Sequence, residues 1–163
     1  MIARPALARE TEAALPGYEF WPTLGLVDQT GTHFQIGQLE TPLVFVNVWA
    51  HWCAACWFEM NALHAMQDKV LPRRMTVLLL SHPTNWSADQ QSAARKQLPF
   101  RLATLAPGPA SIRSAAFEER SSTYNVPRSL LYHHASNGVV MSHDGLAAWD
   151  GAQNIGRLLR LLG

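Results

Sequence analysis

The stretch "VFVNVWAHWCAACWFEM", residues 44–60, decides the reading of this chain, because it holds both of its cysteines, Cys53 and Cys56. Just before it, Pro42 opens "LVFVNVW" (43–49), which is rich in β-branched and aromatic residues and apolar on both faces. That is the pattern of a central, buried strand. From Cys53 the spacing changes: Cys56, Met60, Leu63, Gln67 and Val70 recur at helical intervals and predict a helix that runs to Val70, before Pro72. The cysteine pair thus follows a buried strand and opens a helix. In that place Cys53 meets unpaired backbone N–H groups and the positive end of the helix dipole, both of which stabilise a thiolate. Cys56, one turn on, is expected to be shielded and to resolve a mixed disulfide.

A purely structural disulfide is a weak alternative, since closing a four-residue loop constrains the unfolded chain little. Structural zinc needs four ligands at suitable spacing. There is no second cysteine pair, His133 and His134 are adjacent, and the nearest imidazoles in sequence are His51 and His64. No metal site is therefore expected. Soft thiolates with a histidine would suit Cu(I), so a copper-binding chaperone is the alternative from another class.

Working outward, "FWPTLGLVDQTGTHFQI" (20–36) alternates apolar and polar residues about Gln29-Thr30-Gly31 and predicts a β-hairpin. "MTVLLLS" (75–81) reads as a second buried strand, expected to lie parallel to the first through the connecting helix. Ser87 and Gln90 form a capping-box pattern for a helix through Lys96. "FRLATL" (100–105) is a short extended segment, and "PASIRSAAFEER" (109–120) a helix with Pro109 in its first turn. "RSLLYHH" and "GVVMSH" are strands joined through Ala135-Ser136-Asn137-Gly138, and the Asn-Gly pair is a hairpin signal. Asp150, with Gln153 three residues on, caps a last amphipathic helix ending at Leu162. A central mixed sheet flanked by helices follows.

At 163 residues, 48% apolar and 15% charged, the chain is globular and one domain in size: a leader over 1–17 and a single domain over 18–163. The net charge of +1 comes with scattered basic residues, which argues against nucleic acid as a partner. The longest apolar run, Leu43 to Ala50, is far shorter than the ~20 residues of a membrane-spanning helix. "MIARPALARETEAALPG" (1–17) lacks the apolar core of a signal peptide.

The segment "VFVNVWAHWCAACWFEMNAL" resembles the active-site region of thioredoxin-like proteins, and most of all the TlpA/ResA-type thiol–disulfide oxidoreductases of bacterial envelopes. Asn47, Trp49, Ala50, Trp52, Cys53, Cys56, Glu59 and Met60 match the family pattern, and the similarity extends over about residues 18–162. It implies a thioredoxin-like α/β fold, with an N-terminal β-hairpin and a helical insert, and a redox-active Cys-Ala-Ala-Cys pair. Cys53 is the implied nucleophile, Cys56 the resolving thiol, and Pro127 a cis-proline beside them. Trp52, Ala54, Ala55, Glu59 and Asn47 are the implied supporting residues, with Val126, Pro127 and Trp57 in substrate binding. Asn47 stands where cytosolic thioredoxins carry a buried Asp, and Glu59 is open to two readings, proton transfer or a surface carboxylate. No cofactor is implied. The implied partners are protein disulfides or dithiols and a membrane or periplasmic electron donor. The implied place is the periplasm or cell envelope, which a membrane anchor outside this chain would fit. A net oxidant or isomerase is the alternative within the same chemistry.

Several positions depart from the pattern. Ala55 replaces the usual proline and restores an N–H that can point at the Cys53 sulfur. Asn61 stands in place of a helix-kinking proline. Trp57 and Phe58 replace polar residues and are open to two readings, helix packing or an apolar patch that docks a partner. Tyr124 lies three residues before Pro127 and Phe117 ten before it, where the family has a tyrosine six before.

Overall fold

The computed structural model describes residues 12–70, 74–117 and 125–163. The strands are β1 (Gly25–Asp28), β2 (His33–Gln35), β3 (Leu43–Trp49), β4 (Met75–Ser81), β5 (Arg101–Leu105), β6 (Arg128–His133) and β7 (Gly138–Asp144). The helices are α1 (Ala54–Lys69), α2 (Trp86–Arg95), α3 (Ala110–Phe117) and α4 (Ala152–Leu162). The strands form one mixed sheet in the order β2-β1-β5-β4-β3-β6-β7. β3 and β4 pair in parallel from Leu43↔Met75 to Trp49↔Ser81, as the buried-strand, helix, buried-strand pattern predicts. The extended segment after α2 is also a strand: β5 pairs in parallel with β4 and antiparallel with β1. β6 runs antiparallel to β3, setting Val48 against Arg128 and Leu43 against His133.

The sheet separates two apolar layers. Leu43, Phe45 and Trp49 of β3 pack with α1, Ala93 of α2, and Leu158, Leu161 and Leu162 of α4. Val44, Val46 and Val48 face the other way, towards Trp21, Leu24, Ile36, Ala116 and Phe117. This alternation, with side chains buried on both faces, is why β3 reads as an unbroken apolar run. The same parity sends Asn47 to the α1 side, with Phe45 and Trp49.

The hairpin from 20 to 36 is shorter than its alternation suggests, because Trp21–Thr23, containing Pro22, forms a 3₁₀ turn before β1. Its bend is built on Asp28, whose Oδ1 accepts the Thr30 and Thr32 N–H groups, with Gly31 at φ +81°. The two expected side-chain caps do not form. α2 begins at Trp86, directly after a 3₁₀ turn at Pro83–Asn85, so Ser87 lies inside the helix. α4 has Gly151 at its N-cap, and no side chain caps it. The β6–β7 connection turns through His134–Ser136 with Asn137 left-handed (φ 47°), and Gly138 already belongs to β7. Glycine is needed there because a Cβ would stand 2.6 Å from that of Ala14. Of the sequence expectations, Pro72, Tyr124 and the last turn of α3 beyond Phe117 lie outside the described residues.

Candidate active site

β3 ends at Trp49, and the chain turns through Ala50–Cys53, closed by the Cys53 N–H donating to the Ala50 carbonyl at 3.1 Å. Cys53 is the N-cap of α1, with extended backbone. It forms a disulfide with Cys56, their Cα atoms 5.3 Å apart. Cys56 is fully buried, while Cys53 is 6% exposed. The N–H that reaches the Cys53 sulfur is that of Cys56, at 3.1 Å, not that of Ala55. This corrects the expectation for Ala55. An N-cap side chain reaches the N–H of the second or third helical residue, and here the third makes the bond.

Behind the disulfide lies a buried polar cluster. Glu59 is on the same helical face as Cys56, three residues on, and is 2% exposed, so it is not a surface carboxylate. One of its oxygens accepts the Ala147 N–H at 3.1 Å and the Trp149 indole N–H at 3.0 Å. The other accepts from Asn47 Nδ2 at 3.1 Å. Asn47 also donates to Ser129 Oγ at 3.0 Å, directly across the β3–β6 pair. Asn47 therefore links the side chains of α1 and β6. Burial pushes the Glu59 carboxyl above its usual range. The bonds from Asn47, Trp149 and Ala147, and the nearby His143, only partly oppose this. A carboxyl so placed can hold or pass a proton next to a resolving thiol.

The Val126–Pro127 peptide bond is cis. Pro127 is buried and Val126 partly so, and the antiparallel register sets this loop beside the end of β3. The Pro127 carbonyl accepts the Gly145 N–H at 2.8 Å, tying the loop to the end of β7.

Trp57 is half-buried. Its indole N–H donates to the His51 carbonyl at 2.8 Å, and its ring meets Trp49 edge-on at 5.3 Å. Trp57 thus takes the packing reading, and only Phe58 of the two is exposed. Phe58, by contrast, is 78% exposed, Trp52 is 54% exposed, and Ala54 is exposed as well. His133 lies at the opposite end of β6 from Arg128 and so at the far end of the sheet from the disulfide.

Sequence reasoning missed Asp89 altogether. It lies one turn after Trp86 and one turn before the buried Ala93, and its side chain is fully buried against His51. The weight of the Ala147 and Trp149 donors was also missed. They are far from Glu59 along the chain, and the sequence carries no local signal for such a contact.

No family model matches the chain, and no curated protein matches it. Solved structures do. A candidate thiol:disulfide interchange protein DsbE from Chlorobium tepidum is 19% identical with a TM-score of 0.67, over 96% of this chain and 100% of that one. The thio-disulfide isomerase of Thermus thermophilus is 20% identical with a TM-score of 0.64, over 94% and 97%. StoA of Bacillus subtilis is 12% identical with a TM-score of 0.58, over 83% and 94%. At such identities the likeness carries the fold. The chain has the thioredoxin-like fold of these thiol–disulfide proteins, and it holds a C-x-x-C disulfide where its buried strand meets its helix, in agreement with the TlpA/ResA-type resemblance of its sequence.

Proposed function

We propose that the protein is a thiol–disulfide oxidoreductase of the bacterial envelope that reduces or exchanges disulfides in other proteins. The observation that carries this reading is the Cys53–Cys56 disulfide at the start of α1, with the Cys56 N–H directed at the Cys53 sulfur. In the reduced protein, the Cys53 thiolate attacks one sulfur of a partner disulfide and releases the other as a thiolate. The Cys56 thiolate then attacks Cys53, breaks the mixed disulfide and releases the second partner thiol. Two electrons pass to the partner, and a membrane or periplasmic donor restores the dithiol. Both electrons are carried by sulfur, so the reaction needs no cofactor.

Glu59, held by Asn47, takes the proton of Cys56 as that thiol becomes the attacking thiolate. The 125–127 loop, with Val126 and Pro127, lies alongside the incoming partner chain. Trp52 and Phe58 are the exposed aromatic groups nearest Cys53 in the chain, and they meet the partner's apolar residues around its disulfide. Residues 18–163 act as one domain, with 1–17 as a leader. Among the described residues no helix is long and apolar enough to cross a membrane. An envelope location through an anchor outside this chain rests on the sequence resemblance.

The test is a Cys56→Ser variant offered disulfide-bearing envelope proteins. It should accumulate mixed disulfides on Cys53 that dithiothreitol releases, and Cys53→Ser should trap none. Equal trapping by Cys53→Ser would reverse the assignment. No exchange with any disulfide, by either variant or the wild type, would make the chain a redox-inert module.

A further inference from the structure

Asp89 is a buried group that this scheme does not use. Its side chain is 0% exposed, and Oδ1 accepts both the backbone N–H and the ring Nδ1 of His51, each at 2.7 Å. Oδ2 is buried with no hydrogen-bond partner among the described residues. A carboxylate in that state is costly unless positive charge stands next to it. Among the described residues, the group paired with it is the His51 ring, which is 32% exposed. A carboxylate only accepts, so the ring proton on that side sits on Nδ1, and Nε2 is left as the ring's working nitrogen.

His51 sits at the corner of the turn that ends in Cys53. Two trans peptides separate their Cα atoms by at most about 7.6 Å. The turn is held from two sides. α2 presents the buried Asp89 carboxyl, and α1 presents the Trp57 indole on the His51 carbonyl. Glu59 is engaged elsewhere, by Asn47, Ala147 and Trp149, with His143 as its titratable neighbour.

We propose that His51, oriented by Asp89, is the proton-transfer partner of Cys53, separate from Glu59 on the Cys56 side. This rests on the thiol–disulfide reading. As the Cys53 S–H bond breaks, Nε2 takes the proton, and the imidazolium facing the Asp89 carboxylate stands beside the new thiolate. The thiolate then attacks the partner disulfide: one Cys53–sulfur bond forms and the partner S–S bond breaks. The leaving sulfur keeps the electron pair and takes the proton from Nε2. His51 ends as it began, and both electrons stay on sulfur.

The test uses the reduced protein, iodoacetamide and mass-resolved labelling of Cys53 from pH 5 to 9. Wild type should stay reactive well below neutral pH. His51→Gln keeps an amide donor for Asp89 but removes the base, and it should lose about tenfold in rate near pH 6, the equivalent of a shift of one pH unit. Asp89→Asn keeps an acceptor for the His51 N–H and should move the profile the same way. All three should converge near pH 9, where the thiolate forms unaided. Superimposable profiles would overturn the proposal. So would a rate lowered equally at every pH, which is the mark of a clamp alone. If neither variant folds, the His51 ring signals of the native protein decide by NMR: their titration should change when the disulfide is reduced, and an unchanged titration overturns the proposal. Alkylation needs no protein partner, so loss of disulfide exchange alone would count against the proposed function and not against this pair.

Discussion

Asp28 and Glu59 are both buried carboxylates that accept several hydrogen bonds, and they titrate in opposite directions. Burial pushes the Asp28 carboxyl up, but bonds from the Thr30 hydroxyl, Arg101 and the Thr32 and Thr30 N–H groups hold it at about 2. Arg101 lies 2.8 Å from it and stacks on the Phe34 ring. Glu59 has three neutral donors within 3.1 Å and, among the described residues, no bonded cation, and burial raises it. The balance decides the direction: at Asp28 the Thr30 hydroxyl, Arg101 and two backbone N–H groups together outweigh burial, and at Glu59 burial outweighs its three neutral donors. The hairpin carboxylate is a brace, and the one behind the disulfide is poised to exchange a proton.

Glu59→Gln would test that contrast most strongly. Asn47 can flip its amide so that Oδ1, which lacks a partner among the described residues, accepts from the introduced side-chain amide, while the Ser129 hydroxyl rotates to donate. The fold should survive, and exchange should slow by roughly a hundredfold, the low end for a lost acid–base group. A rate within about twofold of wild type would remove Glu59 from the chemistry. The pH dependence of stability carries the same sign. Native Glu59 keeps its proton where the unfolded chain has lost it, so stability falls as pH rises from the usual carboxylate range through the raised value. Chemical denaturation across that window should show the slope in wild type and not in the variant.

Asp28→Asn should do the reverse. The native carboxyl is depressed, so its contribution is present above the ordinary aspartate range and is lost as pH falls towards 2. The variant should lose about 1–2 kcal/mol at neutral pH and show a flatter acid limb. Its exchange rate should equal wild type, and a slowed rate would mean that the hairpin reaches the site.

Smaller effects should separate docking from chemistry. Phe58→Lys should slow exchange with a folded protein disulfide about fivefold, equivalent to about 1 kcal/mol, and leave a small disulfide unaffected. Parallel loss on both substrates would place Phe58 in the chemistry or the fold. Ala55→Pro should matter least. The N–H on the Cys53 sulfur belongs to Cys56, so the reduction potential should move by less than the ~30 mV that a lost bond to a charged group would give. A larger change would mean that proline alters the turn itself.

The parts of the molecule that were legible share one property: their signals are local. β3 shows as an apolar run, and the cysteine pair shows at the junction where that run gives way to helical spacing. Glu59 was half legible. Its spacing from Cys56 puts it on the buried face, but an acidic residue is usually exposed, and the donors that let it stay inside come from Ala147 and Trp149. Asp89 was illegible because an acidic residue is usually exposed and its partner lies 38 residues upstream. The caps at Ser87 and Asp150 failed for the opposite reason. The residue pattern was right, but a preceding 3₁₀ turn and Gly151 fixed the helix starts elsewhere.

The bare backbone at Gly138 has a consequence for how the protein keeps to itself. β7 is the last strand of the sheet, and a border strand offers unused N–H and carbonyl groups on which another chain can build. Residues 12–15 occupy part of that border. The Leu15 N–H donates to the Val139 carbonyl at 2.7 Å, the Ser136 hydroxyl donates to the Glu12 carbonyl at 2.5 Å, and Glu12 pairs with Arg157 of α4. Ala14 can lie that close only because position 138 carries no Cβ. A side chain there would lift the strap and open the strand to its counterpart on a second molecule. One hydrogen in place of a methyl group thus lets residues 12–15 cover the start of this edge strand.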